Sequence, residues 1–308
     1  MFYIGCPMWG YKEWVGNFFP PHTAPGDFLR LYSRCLTTVE GNTSFYAIPS
    51  AETVTRWYTE APPEFRFCFK IPRDISHAPH LETRKSETYF FTDRIRGLKE
   101  RLGPLFLQLP PAFGPAQLSQ LQAFLDFWPE DLRLAVEVRH PDFYKVSHAA
   151  KLNALLTQYK VARIMMDTRP IRIGSAEEKQ ILQARERKPD LPLHIAVTTD
   201  FIFLRYIGHP RMEVNNTFLD TWAWQLAQWI EEGFTLYVFC HCPFEVHSPS
   251  ICSTLYEKVR ALTSLPPLPW QPDEPDQPVP PVLLVPCVVP ESLTLTSSSS
   301  VQSPSSPP

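Results

Sequence analysis

Eight short apolar runs, each closed by a polar or turn residue and followed by a stretch with helical periodicity, recur before Leu265 in this 308-residue chain. The runs are residues 3–6, 38–42, 66–71, 105–109, 134–138, 162–166, 202–206 and 236–240. Several are β-branched or aromatic, which suits a pleated, half-buried surface. Between the first two, Phe28, Leu29, Tyr32 and Leu36 mark one face of a helix over residues 26–35. Ser50 is a candidate N-cap, with Glu52 in the first turn ahead of Val54 and Trp57. Further helices are predicted over residues 87–102, 116–127, 148–159, 176–187, 219–232 and 250–262, and Gly233 stands where a helix-ending glycine belongs. Strands alternating with helices run parallel and join by right-handed crossovers. Eight such units in about 260 residues predict an α/β fold, a closed (β/α)8 TIM barrel. A doubly wound open sheet is the alternative, but no Gly-x-Gly-x-x-Gly motif follows any run.

The composition excludes some classes and leaves others open. Hydrophobic residues make up 44% and charged residues 20%, ordinary for a globular chain. The net charge of -3 shows no basic excess of the kind that announces a nucleic-acid binder, although a local patch stays possible. The N-terminus lacks a cationic region followed by a long apolar run, and no apolar stretch approaches the roughly 20 residues that span a bilayer. Seven scattered cysteines, an odd number, favour reduced thiols and a cytoplasmic protein. From Leu265 the chain becomes rich in proline and then serine, so residues 1–264 are expected to form the barrel and residues 265–308 a disordered tail. Within that tail the apolar run Val282–Val285 is long enough to dock on a folded domain. A proline-rich segment can also present a polyproline ligand, but a bare tail is the preferred reading, and no protein partner is named by it.

Polar residues interrupt the runs mainly at their C-terminal ends. Side chains alternate faces along a strand, so Leu134, Val136 and Val138 share one face, and Glu137 and Arg139 the other. By the same alternation Glu40 and Asn42 point together, and Lys70 lies opposite three phenylalanines. Gln108, Asp167, Arg205 and His241 break or end other runs. If the apolar faces meet outer helices, these groups point into the mouth of the barrel, where barrel enzymes build their sites. Glu40, Glu137 and Asp167 are the candidate acids or bases, since paired carboxylates suit acid–base work on a sugar or phosphodiester. Lys70, Arg139 and Arg205 suit a phosphate or carboxylate group. Asn42, Gln108 and His241 add neutral hydrogen-bonding groups. Trp9, Tyr11, Phe45 and Tyr46 in the loops can wall a pocket and stack on a sugar or base, or equally pack the rim. The bland alternative for the charged set is an ion-pair network that closes the barrel's end.

These residues carry a resemblance. Ile4-Gly5-Cys6-Pro7-Met8-Trp9 with Tyr11-Lys12, Trp14 and Phe19-Pro20 resembles the YecE-like family, a domain of unknown function. Thr38-Val39-Glu40-Gly41-Asn42-Thr43-Ser44-Phe45-Tyr46 with Pro49-Ser50 and Trp57 is similar to a second signature of that family. Phe67 to Pro72 with Ile75-Ser76-His77, then Gln108-Leu109-Pro110-Pro111 and Glu137-Val138-Arg139-His140-Pro141, resemble three more. The likeness covers roughly residues 1–262 and implies a TIM barrel, with no established activity or cofactor. The positions that match are Trp9, Glu40, Asn42, Tyr46, Lys70, His77, Gln108, Glu137, Arg139, Asp167 and Arg205. The chain also departs from the pattern. The usual Glu-Ile-Asn reads Glu40-Gly41-Asn42, and the His-Gly that usually follows the seventh-strand arginine is replaced by Tyr206-Ile207-Gly208-His209. The eighth strand ends in Cys240-His241-Cys242-Pro243 rather than in an asparagine-rich stretch.

Cys240-His241-Cys242 does not read as a zinc site, because alternation puts the cysteines on one face and the histidine on the other. His241, Glu137 and Asp167 are types that can hold a hard metal, by fold-level analogy with other barrels. A hydrogen-bonded His241 is preferred, and no metal or cofactor is assigned. His77 and His80 read as loop histidines, His77 being the candidate ligand contact. Arg185-Glu186-Arg187-Lys188 reads as a solvated helix face. The residues therefore point to a hydrolase or isomerase acting on an anionic sugar or nucleic-acid substrate. The alternative is a non-catalytic protein that binds a metabolite or nucleic acid in the same pocket.

Overall fold

The structure, a computed structural model, describes residues 1–173 and 179–268. Each of the eight apolar runs forms strand structure: β1 Phe2–Gly5, β2 Thr38–Gly41, β3 Arg66–Phe69, β4 Leu105–Gln108, β5 Leu134–Glu137, β8 Phe201–Ile207 and β9 Thr235–His241, with the sixth run split into β6 Ala162–Arg163 and β7 Met165–Asp167. The split has a local cause. Arg163 N donates to the Thr198 hydroxyl, and Ile164 N donates to Val136 O of β5. The chain thus changes neighbours there, from β5 before the break to β8 after it.

All ladders are parallel, in the orders β1-β9-β8-β7, β2-β3 and β4-β5-β6. Backbone bonds also run between these groups. Glu40 N donates to Cys6 O at 3.0 Å, and Ile71 N donates to Phe106 O at 2.9 Å. The fold is a mixed α/β architecture with helices between parallel strands, as βαβ connections require.

The helices are α1 Phe28–Cys35, α2 Ala51–Glu60, α3 Arg73–Ser76, α4 Lys85–Ile95, α5 Leu118–Leu125, α6 Val146–Gln158, α7 Arg169–Arg172, α8 Lys179–Arg187, α9 Met212–Glu231 and α10 Ser248–Arg260. Ser50 caps α2, its hydroxyl accepting from Thr53 N. Gly233 follows α9 with φ +89°, a conformation that costs glycine little. Two boundaries differ from the sequence pattern. The helix expected over 87–102 ends at Ile95 and continues as a tight turn in which Lys99 has φ 50°. Helix α9 begins seven residues before the expected Leu219. Its first turns are polar, but Asn215 is buried there and bonds the hydroxyl of Tyr206 and both backbone groups of His209. The first residues of the helix expected over 176–187 lie outside the described residues.

The core has two faces. Tyr3, Cys68, Phe106, Ala135, Ile164, Phe203 and Phe239 form one cluster between the strands. Ile4, Phe67, Leu107, Val136, Met165, Leu204 and Val238, the sequence neighbours of these residues, belong with Val39 to the larger cluster shared with the helices. Past α10, the hydroxyl of Tyr256 donates to Pro266 O at 2.7 Å and Leu268 is buried. The run Val282–Val285 and the serine-rich end lie outside the described residues. Among the described residues no helix is long and apolar enough to cross a membrane.

Candidate functional site

Two residues beyond the strand-enclosed cluster, the same face turns polar. Glu40 follows Thr38, Lys70 follows Cys68, Gln108 follows Phe106, Glu137 follows Ala135, Arg205 follows Phe203, and His241 follows Phe239. The period of two carries all six onto one face at the C-terminal ends of β2, β3, β4, β5, β8 and β9.

Arg205 is the centre of the cluster. Its guanidinium is bidentate to Glu40, with Nε to Oε2 at 2.8 Å and Nη2 to Oε1 at 2.7 Å, while Nη1 donates to Glu137. Arg139 reaches the other Glu137 oxygen at 2.7 Å and Gln108 at 2.7 Å. Asn42 donates to Glu40 Oε1 at 2.8 Å, and His241 Nε2 lies 3.1 Å from Glu40 Oε2. All four carboxylate oxygens of Glu40 and Glu137 accept from a donor, the condition under which buried charge is tolerated.

The network fixes protonation states. Burial disfavours ionised Glu40, but Arg205 and His241 outweigh it and hold the carboxyl well below its usual range. Glu137 is likewise buried, and Arg205 and Arg139 bring its pKa down to about 2. Burial pushes His241 down to about 4 despite the attraction of Glu40, so the imidazole is neutral at pH 7 and donates Nε2–H to that carboxylate.

Two lysines complete the site. Burial and the neighbouring Arg205 push Lys70 down to about 8, and its ammonium sits 3.7 Å from the centroid of the Phe45 ring. Lys188, just past α8, is pushed to about 8 by burial and the same arginine, with Glu40 and Glu137 partly offsetting both. Its charge is also felt by His241 and by Glu245, which burial raises to about 7 while the Ser248 hydroxyl and Lys188 oppose the rise. Among the described residues neither lysine forms an ion pair, in contrast to Arg205 and Arg139. Four cations therefore face Glu40 and Glu137, and a positive charge is left over even with Glu245 ionised.

The expected ligand contacts divide. His77 stands edge-on to Phe45 with centroids 5.3 Å apart, and burial and Lys70 both lower its pKa. Tyr11 packs edge-on against Trp14, whose indole N–H donates to Glu245 O at 2.9 Å. Tyr46 packs edge-on against Phe45 but is otherwise exposed. Trp9 packs edge-on against Trp57 and Phe67, among residues shared with the helices. Asp167 does not join the cluster. It pairs in register with Tyr206, not Arg205, so it faces α9, where it accepts from Trp222 Nε1 at 2.8 Å and from the guanidinium of Arg169. Alternation alone sets Asp167 with Arg163 and Met165, opposite Ala162 and Ile164 of the inner cluster, so reading it as merely ending its run put it on the wrong face.

Sequence reasoning missed Lys188 and Glu245. Lys188 sits in a mixed-charge stretch and carries no local mark of burial. Glu245 did have a signal, a carboxylate in the loop after the last strand. The departures from the family pattern also find places: His241 supports Glu40, and His209 is buried with Nδ1 accepting from Arg211 N. Among the described residues no group of three His, Cys, Asp or Glu side chains is arranged to hold a metal ion. Of the candidate metal ligands, Glu137 spends its oxygens on guanidinium groups, Asp167 lies on the other face against Trp222 and Arg169, and His241 bonds Glu40.

Fold and site together define a parallel α/β protein with a cation-rich, ion-paired cluster at its strand ends. Residues 3–275 match the family described as "Protein of unknown function DUF72", and the chain belongs to that family. It is 37% identical over 261 residues to the UPF0759 protein YecE of Escherichia coli K12, a match covering 84% of this chain and 93% of that protein. It is also 39% identical to UPF0759 protein YunF of Bacillus subtilis, over 70 residues that cover 23% of this chain and 24% of that one. A DUF72 family protein of Enterococcus faecalis superposes with a TM-score of 0.63 at 16% identity, covering 86% of this chain and 96% of that one. One from Thermotoga maritima gives 0.62 at 21% identity, covering 85% and 99%. At these identities the structures speak to the fold alone.

Proposed function

We propose that the chain is a closed (β/α)8 barrel whose C-terminal face holds an anionic substrate, a phosphate- or carboxylate-bearing sugar or nucleic-acid fragment, for hydrolysis or isomerisation. The backbone bonds from Glu40 to Cys6 and from Ile71 to Phe106 support closure, since they bridge the gaps between the strand groups. The carrying observation for the ligand is the cationic surplus: Lys70 and Lys188 face the cluster without carboxylate partners among the described residues. An anion seated between them and Arg139 supplies the missing charge.

Glu40 and Glu137, first candidates for proton transfer, are here holding groups, because each is ionised and committed to arginine. Proton transfer falls to Glu245 and Lys188, whose pKa values of about 7 and about 8 bracket neutral pH. Asp167 has no part in it. The commitment of Glu40 and Glu137 also favours a second reading, a protein that binds the anion without turning it over. The cytoplasm remains the proposed location, supported by the free thiols of the six cysteines among the described residues.

Calorimetric titration with inorganic phosphate at pH 7 tests the site. Binding that weakens at least tenfold in a Lys70→Ala, Lys188→Ala double variant is expected. Equal binding by the double variant, or no binding by the native chain, overturns the assignment. Turnover of a panel of sugar phosphates by the native chain but not by Glu245→Gln separates enzyme from binder.

A further inference from the structure

Beside Lys70 lies a cleft of about 530 Å³ that the ion-pair cluster does not use. Its lining joins the aromatic Phe45, Tyr46 and Phe90 and the apolar Ile48 and Ile75 to the polar Asp74, Ser86 and Glu87. Tyr46 is 83% exposed and Phe90 58% exposed, so two large aromatic faces are offered to solvent within one concavity. Phe45 is the wall shared with the cation site, because the Lys70 ammonium rests on its ring at 3.7 Å. Arg73 also lines the cleft.

We propose that this cleft takes the base of a nucleoside phosphate whose phosphate group sits on Lys70. The inference rests on the anion site above and narrows its substrate class. Three aromatic side chains and two isoleucines suit a flat heteroaromatic ring, because every base offers a π-face for stacking. A bare sugar ring fits less well. Its hydroxyls can reach the polar lining of Arg73, Asp74, Ser86 and Glu87, but it offers no flat π-face to the aromatic side chains of Phe45, Tyr46 and Phe90. The Asp74 carboxylate makes no hydrogen bond among the described residues and can accept from an exocyclic amino group on the base. Lys70 at the shared wall supplies charge complementarity for a phosphate attached through a single ribose. The same chemistry is offered by a free nucleotide and by the phosphorylated end of a single strand.

The full chain is titrated calorimetrically with adenosine 5′-monophosphate, ribose 5-phosphate, adenosine and a 5′-phosphorylated deoxyadenosine decamer. The nucleotide is expected to bind at least about fivefold more tightly than ribose 5-phosphate, the low end of what stacking contributes. Tyr46→Ala and Phe90→Ala should each reduce that ratio while leaving ribose 5-phosphate affinity unchanged; both residues are exposed, and circular dichroism checks that the variants fold. Equal affinity for nucleotide and ribose 5-phosphate, or a ratio untouched in both variants, overturns the inference and leaves the anion site standing. Binding of adenosine without either phosphate ligand supports the cleft and sinks the anion site. If none of the four binds, both readings fail. A decamer that binds more tightly than the nucleotide points to a strand end as the source, and the reverse order to the free nucleotide.

Discussion

Arg205 is the charge shared by two buried carboxylates, and it does more than His241 to keep Glu40 ionised and more than Arg139 to keep Glu137 ionised. Replacing it with methionine leaves Glu40 and Glu137 charged and buried with too few partners. Removing one member of a buried ionic network typically costs about 3–5 kcal/mol, and Arg205→Met should lower stability by that order in urea denaturation. Glu137 gives a pH signature. Its pKa of about 2 in the folded chain lies below its ordinary 4.5, so its stabilisation is complete above pH 4.5 and drains away as pH falls toward 2. The loss of stability between pH 6 and pH 3 should therefore be smaller in Glu137→Gln than in the native chain. The two lysines act in the opposite range. Phosphate affinity should fall as pH rises through about 8, where Lys70 and Lys188 lose their charge, and the double alanine variant should show no such fall. Most of this cluster was legible from strand alternation alone: Glu40, Lys70, Gln108, Glu137, Arg205 and His241 all fell on the expected face. Lys188 was not, because its burial depends on where the end of α8 packs, a tertiary fact with no local pattern.

At the scale of elements, β2 and β3 are fitted to each other through Gly41. The family pattern has isoleucine at this position, whereas here a Cβ on Gly41 would stand 2.3 Å from the ring of Phe69. The phenylalanine fills the space a branched side chain would take. Gly41→Ala should destabilise the chain by about 1–3 kcal/mol through overpacking. Combining it with Phe69→Leu should cost less than the sum of the two single changes, a coupling that a double-mutant cycle in urea reads directly. The strands themselves were readable from composition and spacing because each is short, apolar and bounded by turn residues. Helix starts were less so. The first turns of α9 are polar and lack a periodic apolar face, and what holds them is Asn215 bonded to the end of β8.

At the scale of the molecule, the change to a proline-rich composition at Leu265 does not coincide with the last packed residue. The packed part of the chain reaches at least to Leu268, the last described residue. Within it Leu268 is 4% exposed in the helix-facing core, and Tyr256, itself stacked on Phe2 with centroids 5.3 Å apart, donates to Pro266 O. Proline ends regular structure, but it does not prevent an extended chain from laying a leucine on a core. Composition thus marks where helices stop, and burial marks where the folded unit stops. A chain ending at residue 264 loses the buried Leu268 and leaves the Tyr256 hydroxyl without its carbonyl partner. Full burial of one leucine contributes about 1.5–3 kcal/mol, so the chain ending at residue 264 should unfold at lower urea than one ending at residue 272 by that amount. Leu268→Ala in the full chain should reproduce most of the difference. Equal midpoints for the two truncated chains would place the edge of the unit at the composition change instead.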